Sequence, residues 1–288
     1  MEDVNGLINQ LTNNKINPNI AIGQHFLVDE TIVNRLVETA SITKDDVVIE
    51  VGAGTGIVTE KLLQKAKLVY AYEIDQQFAP QLNELRNKHP NLRIVWENIR
   101  QAELPSKYNK VVGNIPYHIS EPLFWKFRKE RFDNMVFITG KDFAVKLTAK
   151  LKEKYYCNMS IIFQAQFNIQ IIEIIEKDHF YPCPPVASAL IKITPATKEE
   201  LLANIPHYIL NFIWNNKEMK LKNALRESLI NYSWDKNNKQ LTKKQAKKIV
   251  DAFNLPKEEQ EKIIDGSDSC MVARTLNQTE FGSLSGGV

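Results

Sequence analysis

The chain has 288 residues, 43% of them hydrophobic and 25% charged, with a formal net charge of +3. That composition supports one large folded domain plus a small one and excludes wholesale disorder. Three scattered cysteines, Cys157, Cys183 and Cys270, exclude a disulfide framework. They also lack metal-ligand spacing, which points to a reducing compartment.

The N-terminal MEDVNGLINQLTNN is acidic and polar, unlike the apolar core of a signal peptide. No run nears the roughly 18 apolar residues that span a bilayer, so the expectation is a cytoplasmic protein with no membrane partner. Residues 46–136 alternate short β-branched runs with amphipathic stretches, the pattern of a parallel sheet covered by helices. Strands are predicted at DVVIEV (46–51), LVYAYEI (68–74), LRIVWE (92–97), KVVGNI (110–115) and NMVFIT (134–139). Between the first two, TGIVTEKLLQKA sets Val58, Leu62, Leu63 and Ala66 at helical spacing. Residues 160–175 and 188–195 read as two late strands, an antiparallel hairpin closing the sheet. The first domain is thus α/β over residues 1–195.

After Pro195, KEELLANIPHYILNFIWN, KLKNALRESLINY and TKKQAKKIVDAFNL are helical in period, which makes 196–288 a small helical domain with a frayed tail. Between residues 205 and 250 lie ten Lys and Arg against three acids, a net of +7. Such a segment is either a solvated Lys-rich face or a nucleic-acid surface, and composition alone does not choose.

The first predicted strand ends in Glu50-Val51-Gly52-Ala53-Gly54-Thr55-Gly56 and leads straight into a helix. Glycines there let the backbone turn and approach a ligand, and the helix N-terminus offers free N–H groups. Nicotinamide, flavin and S-adenosylmethionine proteins all use such a loop. Glu73, at the end of the next strand, can accept hydrogen bonds from two ribose hydroxyls, which suits a nicotinamide dinucleotide equally well. The discriminating feature is Asn114-Ile115-Pro116-Tyr117 at the carboxyl end of KVVGNI. An Asn amide with neighbouring carbonyls can hold an exocyclic amino group, and Pro-Tyr offers an aromatic face for a base. The plain alternatives are a strand-end acid and a Pro turn over a buried Tyr.

Taken in order, these segments resemble the ribosomal RNA adenine dimethyltransferases, a family that also holds the macrolide-resistance methyltransferases. Gly23-Gln24-His25-Phe26-Leu27 resembles the family's GQ-x-F-L segment, EVGAGTG (50–56) its cofactor loop, Glu73-Ile74-Asp75 its ribose-binding strand end and NIPY (114–117) its catalytic motif. Phe180-Tyr181-Pro182-Cys183-Pro184-Pro185-Val186-Ala187-Ser188 resembles F-x-P-x-P-K-V-x-S, and Lys217 with Lys222-Asn223-Ala224-Leu225 resembles the basic C-terminal helix. The resemblance spans about residues 20–230 and implies a Rossmann-like class I methyltransferase sheet with a small C-terminal helical domain.

It further implies S-adenosylmethionine as methyl donor and an RNA adenine N6 as acceptor. Gln24, His25, Leu27, Gly52 and Gly54 would then enclose the methionine end of the cofactor. Glu73 would hold its ribose, with Ile74, Asn98, Ile99 and Asn114 completing the site. Asn114 and the Ile115 carbonyl would bind the target amine, with Pro116 fixing the turn and Tyr117 and Phe180 stacking on the flipped adenine. Lys217, Lys220, Lys222 and Arg226 would hold RNA phosphates, the first two sharing a helical face. The partner implied is ribosomal RNA or the pre-ribosomal small subunit, met by a monomer. Departures from the pattern are Asn98 where Asp is usual, His25 where Asn is usual, Pro185 and Ala187 in the last motif, and only Lys15 as a basic residue before GQ-x-F-L. They keep open a weakly active RNA- or DNA-binding assembly or transcription factor. A large-subunit resistance methyltransferase stays open because the motifs barely separate it from a small-subunit enzyme, which the sizeable C-terminal domain favours.

Overall fold

The β-branched runs become strands. A computed structural model describes residues 16–150, 153–164, 166–196, 212–213, 215–216, 218–237, 241–252 and 257–261. Its strands are β1 (Phe26–Leu27), β2 (Val47–Val51), β3 (Leu68–Tyr72), β4 (Leu92–Val95), β5 (Lys110–Asn114), β6 (Asn134–Gly140), β7 (Phe167–Ile175), β8 (Phe180–Tyr181) and β9 (Ser188–Pro195). Seven form one sheet in the order β4-β3-β2-β5-β6-β9-β7. β4, β3, β2, β5 and β6 pair in parallel, and β9 runs antiparallel to β6. The chain winds outward from β2 to β4, then resumes on the other side at β5. That reversal opens a crevice at the carboxyl ends of β2 and β5, where open α/β sheets bind ligands.

β6 is buried at every position, as expected of a strand with both faces covered. Asp29 caps the helix Glu30–Ala40 by accepting from the Thr31 N–H, and the helix buries Ile32, Val33, Leu36, Val37 and Ala40 along one stripe. The helix Ile57–Lys65 buries Val58, Leu62 and Leu63, the residues that its period predicts. Pro116 precedes the helix Tyr117–Phe127, where its fixed φ and missing N–H cost nothing. Outside the large sheet, β1 and β8 form a two-residue antiparallel ladder, Phe26 opposite Tyr181 and Leu27 opposite Phe180.

One expected strand is corrected. Residues 160–175 do not form a single strand: Asn158–Gln164 is a helix and only Phe167–Ile175 is extended. Short apolar stretches broken by Gln164, Gln166, Asn168 and Gln170 fit a helix and a strand alike, and here side-chain hydrogen bonds mark the helix. The Cys157 N–H donates to Ser160 Oγ at 3.0 Å, and Gln164 Nε2 donates to the Leu147 and Ala149 carbonyls, both at 2.8 Å. The described residues divide into two compact units, those up to Val145 with Ile169–Pro195, and Lys146–Asn168 with those from Ala196 on. Lys146–Asn168 thus lies with the second unit, whereas the sequence places it in the first domain. No helix among the described residues is long and apolar enough to cross a membrane. Residues 197–211 and those from 262 on lie outside those described.

Candidate active site

The loop after β2 is latched to β3, with the Gly52 and Ala53 N–H groups both donating to the Tyr72 carbonyl. Gly54 then sits at φ +50°, a conformation that side chains resist, and its N–H donates to Glu73 Oε2 at 2.8 Å. Glu73 Oε1 accepts from the Ile74 and Asp75 N–H groups at 2.8 and 2.9 Å. At 7% exposure, burial pushes the Glu73 carboxyl up, and the three N–H donors oppose that rise. A carboxylate has about four acceptor positions, so the anchored group can still take a ligand hydroxyl. Behind it, burial pushes Glu50 up to about 8, with the Glu73 charge adding to the rise and Thr59 working against it.

The crevice over this loop is lined by Gly52, Glu73, Ile74, Asn98, Ile99 and Asn114, among others. Ile74 is 54% exposed beside the buried carboxylate. A Cβ on Gly52 would meet only the Asn114 carbonyl, at 3.7 Å. A buried acceptor, an open glycine cradle and an exposed apolar side chain together fit a nucleoside-bearing ligand such as S-adenosylmethionine.

Gln24 and His25 are held from both sides. Gln24 Oε1 accepts from the Asn19 N–H and Nε2 donates to Asp75 Oδ2, each at 2.8 Å. Its amide therefore ties the 23–27 segment to the end of β3. Against the desolvation of partial burial, hydrogen bonds from Gln24 and Gln77 hold Asp75 below the usual carboxylate range. His25 Nδ1 lies 2.7 Å from the Pro182 carbonyl. A carbonyl only accepts, so Nδ1 carries the proton. Leu27 lines the same crevice from the short ladder.

NIPY ends β5. Asn114 Nδ2 donates to the His25 carbonyl at 2.8 Å, which fixes the amide and leaves Oδ1 as the end available to a ligand. The Ile115 N–H donates to the Ile138 carbonyl. Because the Ile119 N–H goes to the Pro116 carbonyl, the Ile115 carbonyl stays outside the helix ladder as a second acceptor. The Tyr117 hydroxyl lies 2.6 Å from Ser188 Oγ, and burial raises its pKa while Ser188 opposes this. A Cβ on Gly140 would sit 3.2 Å from the Tyr117 ring, so a residue without one gives that ring its place. The His25 ring is stacked at 6.1 Å and 29° to it. Phe180 lines the crevice yet is only 4% exposed. Its place opposite Leu27 makes it a wall embedded in the core, with little free face.

Asn98 is more engaged than the sequence suggests. Its Oδ1 accepts from the Arg100 N–H at 3.0 Å, and its carbonyl accepts from Gln101 and Ala102. Asn98 is thus a turn former with one side-chain lone pair left. Ile99 is buried, and its carbonyl accepts from Lys126 Nζ at 2.6 Å.

In the second unit the basic cluster is rearranged. The helix Leu221–Asn237 begins after Lys220, whose carbonyl accepts the Asn223 and Ala224 N–H groups. Lys220 is therefore a cap residue rather than part of a helical face, and Lys217 lies outside the described residues. Lys220 pairs with Glu261 at 2.9 Å, Lys222 pairs with the same carboxylate, and Arg226 lies 3.2 Å from Glu227. Sequence alone assigns no individual role to Ser188, Asp75 or Phe26. For Ser188 a signal exists, since it is the last residue of F-x-P-x-P-x-V-x-S. The Gln24–Asp75 bond spans 51 positions and leaves no local trace.

Comparison with known proteins identifies a family and similar folds. A family model described as ribosomal RNA adenine dimethylase matches residues 15–265. A probable ribosomal RNA small subunit methyltransferase A of Pyrococcus abyssi is 37% identical over 215 residues, covering 74% of this chain and 77% of the relative. The corresponding protein of Sulfurihydrogenibium is 33% identical over 229 residues, covering 76% and 88%. In fold, the chain is similar to a dimethyladenosine transferase from Plasmodium falciparum, with a TM-score of 0.68 at 24% identity over 89% of this chain and 97% of that one. The 23S rRNA methyltransferase ErmE gives a TM-score of 0.63 at 21% identity over 88% and 100%. The chain belongs to the ribosomal RNA adenine dimethylase family.

Proposed function

We propose that this methyltransferase moves methyl groups from S-adenosylmethionine to N6 of adenines in small-subunit ribosomal RNA, with dimethylation as the end point. The relatives above 30% identity carry small-subunit names, which favours that subunit over the large one. The observation that carries the chemistry is the fixed Asn114 amide, whose Nδ2 is committed to the His25 carbonyl.

Bound S-adenosylmethionine supplies an electrophilic methyl on a sulfonium. The chain's own residues supply orientation. Asn114 Oδ1 and the Ile115 carbonyl would accept the two N–H groups of the target amine, favouring a pyramidal nitrogen whose lone pair is withdrawn from the ring. Acceptors already fixed before the reaction cost no reorganisation, so the rate rests on placement and preorganised charge. Tyr117, held by Ser188 and Gly140, would stack on the extruded base, and Phe180 would close the pocket behind it. Stacking offsets an extrusion cost of a few kcal/mol at about 1 to 3 kcal/mol per aromatic face. Glu73 would accept from the donor's ribose, and Ile74 would cover its adenine.

We assign RNA holding to the second unit, with Lys222 and Arg226 as phosphate contacts, in a cytoplasmic monomer. The deciding experiment incubates the protein with labelled S-adenosylmethionine and immature small subunits, then maps methylated adenines by primer extension. Labelled N6,N6-dimethyladenine is the expected product. Tight RNA and cofactor binding without any transfer overturns the reading in favour of a binding protein.

A further inference from the structure

The loop joining β8 to β9 carries an exposed apolar surface that the methyl-transfer chemistry leaves unused. Tyr181 is 39% exposed and Val186 40%, two of the few large apolar side chains exposed among the described residues. Their exposure follows from the strand: Phe180 turns into the crevice wall, so its neighbour Tyr181 must face the other way. The segment from Phe180 to Ser188 contains no charged residue and three prolines, Pro182, Pro184 and Pro185. It is thus stiff and presents its apolar groups at small entropic cost.

The loop is tied to the catalytic crevice at both ends. Phe180 lines the crevice at one end, and Ser188 holds the Tyr117 hydroxyl at the other. The Val186 carbonyl lies 3.5 Å from that same hydroxyl. The Lys141 N–H donates to the Ala187 carbonyl at 3.0 Å, which sets an exposed lysine beside the loop. Exposed Asp142 follows it in sequence, and Lys177 and Asp178, also exposed, precede β8.

We propose that Tyr181 is a stacking platform for the unpaired RNA nucleotide next to the target adenine, and that Lys141 contacts the adjoining phosphate. The inference rests on the methyltransferase reading above and extends it to substrate selection. When one base is extruded, its neighbour on the strand loses its own stacking partner, and the exposed ring of Tyr181, one residue on from the crevice-lining Phe180, replaces it. An uncharged platform flanked by a lysine suits a π-face next to a phosphate. Stacking tolerates any base, so the platform selects for an unpaired neighbour rather than for its identity.

The test measures binding of the full-length protein, saturated with S-adenosylhomocysteine, to a small-subunit rRNA fragment. Tyr181→Ala lowers RNA affinity by about 5- to 100-fold, the range for one stacked base. Tyr181→Phe keeps near wild-type affinity, and affinity for S-adenosylhomocysteine is the same in all three proteins. Abasic sites are then walked along the single-stranded loop of the RNA. One position weakens wild-type binding and has little effect on Tyr181→Ala, because the partner is already gone. Equal losses in both proteins at every position, or an unchanged RNA affinity in Tyr181→Ala, overturns the platform. The binding readout judges it even if the wild-type protein transfers no methyl group, a result that sinks the functional reading instead.

Discussion

Asn114 donates its side-chain N–H to the backbone carbonyl of His25 across 2.8 Å, and that bond decides which end of the amide meets the substrate. Two segments 89 positions apart thereby define one acceptor. Asn114→Ala should lower single-turnover methyl transfer by about 100-fold or more, because the lost contact matters most as charge develops on the amine. Calorimetric affinity for S-adenosylhomocysteine should fall far less. Asn114→Asp puts an oxygen against the His25 carbonyl and should be as inactive as the alanine variant. An active Asn114→Asp would show that the amide donor is dispensable.

Glu73 anchors three backbone N–H groups as well as facing the crevice. Glu73→Ala should therefore lower both ligand affinity and thermal stability. The affinity loss should be about 1.5 to 3 kcal/mol for a charge-assisted contact. Titration of S-adenosylhomocysteine together with a melting curve reads both effects. A stable protein with normal affinity would remove Glu73 from the site.

Tyr117→Phe keeps the ring over Gly140 and removes the hydroxyl that meets Ser188. Ser188 is fully buried, so an unpaired Oγ should cost about 1 to 3 kcal/mol of stability. Methyl transfer should persist at a reduced rate if stacking is the ring's main task. Denaturant midpoints and single-turnover rates for the phenylalanine and alanine variants separate the two contributions.

Glu50 gives the protein a pH signature. Its carboxyl is raised to about 8 in the fold, far above the ordinary carboxylate range that it keeps in the unfolded chain. Between these values the unfolded chain releases a proton that the folded chain retains. The folded state then binds more protons, and stability falls as pH rises across that window. Glu50→Gln cannot titrate, so its melting temperature should change less than the wild type's between about pH 5 and 8. Parallel melting curves for the two proteins across that range would rule out Glu50 as the source.

Glu261 holds Lys220 and Lys222 together, and those two lysines draw its carboxyl down to about 2. It stays charged at any working pH and competes with phosphate for both lysines. Glu261→Gln should raise RNA affinity and steepen its salt dependence by roughly 0.7 to 0.9 for each further phosphate that the freed lysines meet. An unchanged salt slope in filter-binding assays would show that the two lysines do not meet RNA.

The local signals in the sequence determined the parallel strands, the glycine loop with Glu73 after it, and the order of the motifs. Strand period, glycine turns and chemical type are properties of neighbouring residues, so they survive in a linear reading. The run at 160–175 misleads because Ser160–Phe163 is buried at every position and shows no period of its own, so it reads as continuous with the strand Phe167–Ile175 that follows. The face expected of Lys217 and Lys220 fails at Lys220, because the first helical turn closes on the Lys220 carbonyl. Only the tertiary structure decided how Gln24 reaches Asp75, how His25 orients Asn114, and how Ser188 holds Tyr117. Those contacts join segments 51 to 89 positions apart. A hydrogen bond depends on distance and angle in space, and neither is written in the order of residues until the sheet brings its strand ends together.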